Sequence, residues 1–206
     1  MALWVTVQAF KEQYKNVVGS TDDGFIALAL QAAQDVIEGP GSGIGRVVLA
    51  TADTTHYFDA DGDSVDGADL WVSDIGDLSS ITSVTNGDGD SLTINTHYTT
   101  YPRTLTSTYP SYSRLRVLPS GGKAWTFSGD AENSIAIVGK WGMWSTVATV
   151  PDAFKLSVME LAAFEMESRK SQVFDTVVIP DAGIITAPSG FPATVMDRLR
   201  GWRRRQ

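Results

Sequence analysis

Apolar positions recur at helical spacing at both ends of the chain and at strand-like spacing between them. Val7, Phe10, Tyr14 and Val17 share one helical face behind Thr6, whose side-chain oxygen can accept an orphan backbone N–H. This predicts a helix over 6–18, ended by Gly19. Ser20-Thr21-Asp22-Asp23 predicts the capped start of a second helix over 21–38, with acids at the positive end of its dipole. That helix carries two adjacent apolar stripes: Phe25, Leu28, Ala29, Ala32 and Val36, and Ile26, Leu30, Ala33 and Ile37. Together they are too wide for a surface helix, so packing on two sides is expected. Gly39-Pro40-Gly41-Ser42-Gly43 breaks it. A third helix is expected over 151–170, from Pro151 at a first helical position to Arg169 and Lys170 at the negative end of the dipole. Phe154, Val158, Leu161 and Glu165 share one of its faces, and Leu156, Met159, Ala163 and Met166 the neighbouring one.

Between about 46 and 140 the chain is rich in Thr, Val, Tyr, Ser, Asp and Gly, with short runs between turn clusters. Strands are predicted at Arg46–Leu49, His56–Asp59, Asp69–Val72, Ile81–Thr85, Ser91–Ile94, Arg114–Leu118 and Ile135–Val138. Asp61-Gly62 and Asn86-Gly87 or Asp88-Gly89 are hairpin signals. Thr99–Ser113, with Pro102 and Pro110, reads as a long ordered loop. Val173–Ile185 is apolar and β-branched, broken by Pro180 and Gly183, and the turn Ala187–Pro192 leads to a short helix over about 193–203. The expected fold is α+β: a small bundle of three main helices, an inserted antiparallel β region, and an extended C-terminal arm ending in a short helix. The division expected is 1–171 for the main domain and 172–206 for the arm and terminal helix.

Charge refines this picture. The net charge is −8. Residues 197–206 hold five Arg and one Asp, giving +4, whereas the remaining 11 basic and 23 acidic residues give −12. An acidic body with a basic end implies two different surfaces. An acidic body also argues against wrapping nucleic acid, which requires Lys and Arg at the phosphates. With no Cys, disulfides, Cys-based zinc sites and thiol nucleophiles are excluded. The N-terminus lacks a basic stretch followed by a long apolar run, so no signal peptide is expected. No run approaches the roughly 18 apolar residues of a membrane span.

Candidate chemistry is sparse. Asp59-Ala60-Asp61-Gly62-Asp63 begins like a calcium loop, but Ser64 and Leu70 stand where that pattern needs Gly and Glu, so a solvated turn is expected. Asn86–Asp90 is read the same way. Glu160, Glu165 and Glu167 do not share one helix face, and no Glu-x-x-His accompanies them. His56 and His97 have no nucleophile paired by sequence, and Gly39–Gly45 lacks the Lys of a phosphate-binding loop. No catalytic, cofactor-binding or metal-binding residue is expected, and the protein is read as a non-enzyme. Trp125, Trp141 and Trp144 are read as core or subunit anchors. A carbohydrate- or cell-surface-binding module using those rings is the alternative, and a calcium-dependent hydrolase is a third reading for which no constellation is found.

The stretch Ile135-Ala136-Ile137-Val138-Gly139-Lys140-Trp141-Gly142-Met143-Trp144, then Val150-Pro151, then a long helix closing in Glu167-Ser168-Arg169-Lys170, resembles the head–tail connector (adaptor) proteins of tailed phages. The shared pattern is a final strand, a Gly-x-Trp-Gly-aromatic turn, Val-Pro and a helix with a closing basic pair. Here Met143 delays the second aromatic by one residue. Val5-Thr6 before the first helix, the acidic cap and Tyr57-Phe58-Asp59 also fit, so the resemblance spans residues 4–170. It implies a structural virion protein of the head–tail neck, assembled in the host cytoplasm. The implied partners are further copies of itself in a ring of about twelve, a portal protein, and a next neck or tail-completion protein. DNA would pass through the channel without sequence-specific binding.

Two surfaces are assigned to assembly. The first is the portal or partner interface, carried by Val195, Met196, Arg198, Leu199, Arg200, Trp202, Arg203, Arg204 and Arg205, where an apolar stripe meets planar Arg forks that suit carboxylates; a solvated, frayed terminus and direct DNA contact are the alternatives for the Arg residues. The second is a subunit-contact arm carried by Val173, Phe174, Val177, Val178, Ile179, Ile184 and Ile185.

Overall fold

The computed structural model describes residues 2–15, 22–40, 43–170, 176–179, 183–186 and 192–203. The chain forms two compact units, one from Met1–Gly45 with Val150–Gln206 and the other from Arg46–Thr149. The expected helix end at Gly19, the Ser20-Thr21 cap and the Ala187–Phe191 turn lie outside the described residues.

The first unit is helical. Helix α1 (Val7–Gln13) starts where Thr6 Oγ1 accepts from Ala9 N at 3.1 Å. Helix α2 (Asp23–Glu38) starts where Asp22 Oδ1 accepts from Gly24 N at 2.8 Å, and it stops at Gly39. Helices α3 (Asp152–Lys170) and α4 (Ala193–Leu199) follow, the latter continued by a 3-10 turn over Arg200–Trp202. Ile26, Leu30, Ala33 and Ile37 of α2 and Phe154, Val158, Leu161 and Met166 of α3 are buried. Gln34, fully buried, holds the start of the chain: its Oε1 accepts from Trp4 N at 2.7 Å and its Nε2 donates to Ala2 O at 3.2 Å.

The second unit contains two four-stranded antiparallel sheets. Its strands are β1 (Thr54–Phe58), β2 (Val65–Asp66), β3 (Asp69–Trp71), β4 (Leu78–Thr85), β5 (Ser91–Leu92), β6 (Tyr98–Tyr101), β7 (Arg114–Val117) and β8 (Ile135–Trp141). The sheet orders are β1-β8-β4-β5 and β2-β3-β7-β6. Strand β8 alternates as the pattern requires, with Ile135, Ile137 and Trp141 in a core shared with Phe58, Leu70 and Leu115. The Asn86–Asp90 loop joins β4 to β5 as a hairpin, whereas β1 pairs with β8 and not with the strand after Asp61-Gly62. A tighter hairpin joins β2 to β3 through Gly67, at φ +60°.

The expected architecture needs correction. It remains α+β, but among the described residues there are four helices, not three main ones, and the β region is two sheets. The seven-residue α4 is a member of the helical unit, because a helix so short holds in water only by burying a face. The C-terminal segment is not simply extended either. Strands β9 (Thr176–Ile179) and β10 (Gly183–Thr186) pair in a hairpin. Arg46–Leu49 forms no strand beyond an isolated bridge from Leu49 to Trp144. The predicted loop Thr99–Ser113 instead begins inside β6, where Tyr98, Thr99 and Thr100 are buried, as suits β-branched and aromatic residues.

The Gly-x-Trp-Gly turn has a steric basis. A Cβ on Gly139 would lie 2.1 Å from the Ser80 carbonyl oxygen across β4, and one on Gly142 would lie 2.8 Å from Ala50 N. Replacing Gly139 with Ala is expected to cost about 1–3 kcal/mol in urea denaturation, since backbone must move to admit the methyl. Tyr98, 3% exposed, supplies a second test. Burial pushes its phenol up to about 12, while the unfolded chain ionises near 10. Its contribution is therefore intact below pH 10 and lost as the pH rises toward 12. The urea midpoint should fall across that window, and Tyr98→Phe should flatten the fall.

Candidate assembly interface

Helix α4 is fixed to α3 by an ion pair set on an apolar seam. Arg198 meets Glu160 in a fork: Nη2 donates to Oε1 at 2.9 Å and Nη1 to Oε2 at 3.1 Å. Nη1 also donates to Ser157 Oγ at 3.3 Å, and that hydroxyl, fully buried, donates to Ala153 O at 2.7 Å. Both charged side chains are about a third exposed or less. Tyr14 stands close by, with its phenol pKa raised by burial and then by the Glu160 carboxylate, against the opposing pull of Arg198. Val195 and Leu199 are each 1% exposed, and the Trp202 ring meets Phe154 edge-on at 5.7 Å. Trp4 meets the same Phe154 at 5.9 Å, so that one buried ring carries both ends of the chain.

The residues assigned to the portal or partner surface therefore divide. Val195 and Leu199 face the chain's own helical unit, Arg198 is paired with Glu160, and Met196 and Trp202 are half-buried. Arg200 is exposed and pairs with Asp197 at 2.7 Å, and Arg203 is exposed. Arg204 and Arg205 lie outside the described residues. In the arm, Val177, Val178 and Ile179 fall in β9 and Ile184 and Ile185 in β10, while Val173 and Phe174 lie outside the described residues.

Several of the candidate chemical groups are tied up structurally. Asp59 Oδ1 accepts from Asn133 N at 2.6 Å. Asp88 closes its turn by accepting from Asp90 N at 2.9 Å, and that bond above all holds its pKa down. Asp90 pairs with Lys123. The His56 ring stacks on Trp141 at 4.2 Å, and His97 Nδ1 accepts from Thr93 N at 2.9 Å. Among the described residues no three His, Asp or Glu side chains converge as a metal site, and no helix is long and apolar enough to cross a membrane. Trp125, Trp141 and Trp144 are 8, 7 and 6% exposed, so none offers a ring face to a sugar.

Two features escaped the sequence pattern. Arg114 lies over Tyr101 at 4.1 Å and Trp71 at 5.2 Å while pairing with Asp69 at 2.8 Å, which ties β6, β7 and β3 together. On α2 only one of the two apolar stripes is buried. Leu28 is 69% exposed and Phe25 37%.

No family model matches the sequence, and no curated protein is similar to it. Solved structures do match. The whole chain overlays 94% of a chain in the neck of an empty gene transfer agent particle, a phage-like particle, reconstructed with C6 symmetry; the identity is 16% and the TM-score 0.56. The chain shares the fold of that neck chain. A chain in the neck of the native particle, reconstructed with C12 symmetry, is covered over 93% of its length by all of this chain, at 16% identity and a TM-score of 0.50.

If the Arg198–Glu160 fork holds α4, Glu160→Gln should cost about 1 kcal/mol and speed hydrogen exchange at residues 193–199, leaving 46–149 unchanged. The reversed pair Glu160→Arg with Arg198→Glu should recover part of the protection. Equal exchange in all variants would show that the apolar seam alone suffices.

Proposed function

We propose that the protein is a structural subunit of the neck of a phage-like particle, forming a ring beneath the portal through which DNA passes, and that it catalyses no reaction. The observation that carries this reading is the end-to-end match of the fold to chains of two particle necks, both reconstructed with rotational symmetry. The connector-like stretch from Ile135 to Lys170 supports it independently.

In this reading each subunit closes on its neighbours through the arm and meets the portal with its basic end. The apolar side of α4 is already spent on α3, so contact with the portal falls to Arg200, Arg203, Arg204 and Arg205, with Met196 and Trp202 at the margin. Acidic portal surfaces would suit those guanidinium groups. The −12 carried by residues 1–196 would leave a channel wall that repels phosphate and lets DNA slide. A next neck or tail-completion protein would meet the far side of the ring. Assembly in the host cytoplasm and residence in the virion neck follow from this role.

The test is to mix the purified chain with portal-containing heads and image the product by electron microscopy. A symmetric ring below the portal is expected. A chain that stays monomeric and never joins the heads would sink the reading. Changing Arg203, Arg204 and Arg205 together to Glu should leave the fold intact and weaken attachment by about tenfold or more.

A further inference from the structure

The second stripe of α2 is apolar surface left open among the described residues of the helical unit. Phe25, Leu28, Ala29 and Ala32 line a groove of about 300 Å³, closed on its other side by Glu165 and Met166 of α3. Ile26, Leu30, Ala33 and Ile37, on the adjacent stripe, are at most 2% exposed, so the helix is already anchored without it. Surface helices normally place polar residues opposite their buried face, and an open apolar patch marks a docking surface. Among the described residues Leu28 remains 69% exposed.

The hairpin has the complementary shortage. Among the described strands, β9 and β10 pair only with each other. Their eight residues carry no charge, and apolar residues occupy both alternating sets: Val177 opposite Ile185 in one, Val178 opposite Ile184 in the other. A ribbon with one wet face alternates apolar and polar residues, whereas this pattern belongs to a ribbon covered on both. A two-stranded hairpin is at best marginal alone in water.

We propose that the β9–β10 hairpin of one copy docks in the α2–α3 groove around Leu28 of the next copy. The proposal rests on the ring reading above and specifies where neighbouring subunits grip one another. Groove and hairpin are different surfaces of one chain, so the contact is head-to-tail, and it generates a closed ring when the rotation between copies allows.

Because the chain has no Cys, engineered pairs give an unambiguous readout. The full-length double variant Ala32→Cys with Ile184→Cys is brought to the ring state with portal, checked by mass photometry, oxidised and run on non-reducing gels. A ladder of covalent multimers is expected, absent from either single variant; mixing the two single variants should give a covalent dimer. Rings without the ladder, or only an intrachain product, would overturn the proposal while leaving the ring reading standing. No ring under any condition would bring down both. Leu28→Glu, at a side chain already in water, should leave thermal unfolding unchanged and raise the concentration needed for assembly by about tenfold or more. Unaltered assembly of that variant would also overturn the proposal.

Discussion

Phe154 holds the helical unit together by giving the two ends of the chain one buried surface to share. Its ring is fully buried between Trp4, four residues from the start, and Trp202, five residues from the end. Neither α1 nor α4, at seven residues each, would persist alone in water. Both depend on α2 and α3, whose facing stripes supply a core large enough to dock them. Gln34 shows how tightly the N-terminal end is held. A fully buried amide is tolerated there because backbone groups of Ala2 and Trp4 occupy its oxygen and its nitrogen.

This closure changes what the basic end can do. A helix with Val195 and Leu199 on one side and Arg residues on the other reads as a free amphipathic plug. The fold spends Val195 and Leu199 internally and leaves Arg200 and Arg203 exposed. Arg198 marks the boundary. It belongs by sequence to the basic cluster, yet its fork is taken by Glu160, whereas Arg200 is exposed and pairs with the exposed Asp197.

Much of the fold could be read from single residues with an unambiguous local role. Thr6 and Asp22 cap the first two helices, Gly39 ends the second, and Ile135, Ile137 and Trp141 alternate into a core as a strand with one buried face must. Legibility failed where tertiary structure chose among options that local pattern left equal. Thr99–Tyr101 reads as the start of a loop because Thr, Tyr and a following Pro occur in ordered loops as well as at strand ends. Its partner β7 and the guanidinium of Arg114 over Tyr101 decide the matter, and neither is local. The Glu160–Arg198 pair spans 38 residues, beyond the reach of any periodicity.

The α2 helix shows why an error in one chain can still be informative. Two apolar stripes demand two packed sides, yet among the described residues only the stripe of Ile26, Leu30, Ala33 and Ile37 is buried. The physical requirement does not lapse because one molecule fails to meet it; water is as costly to Leu28 as to Leu30. Under the proposed docking, an open apolar face at one place and two strands without a charge at another are the halves of one hydrophobic contact, divided between two locations on the chain. Such a division serves little in a monomer. In a repeating assembly it gives each subunit a donor and an acceptor, and the same contact then recurs at every junction without a second protein.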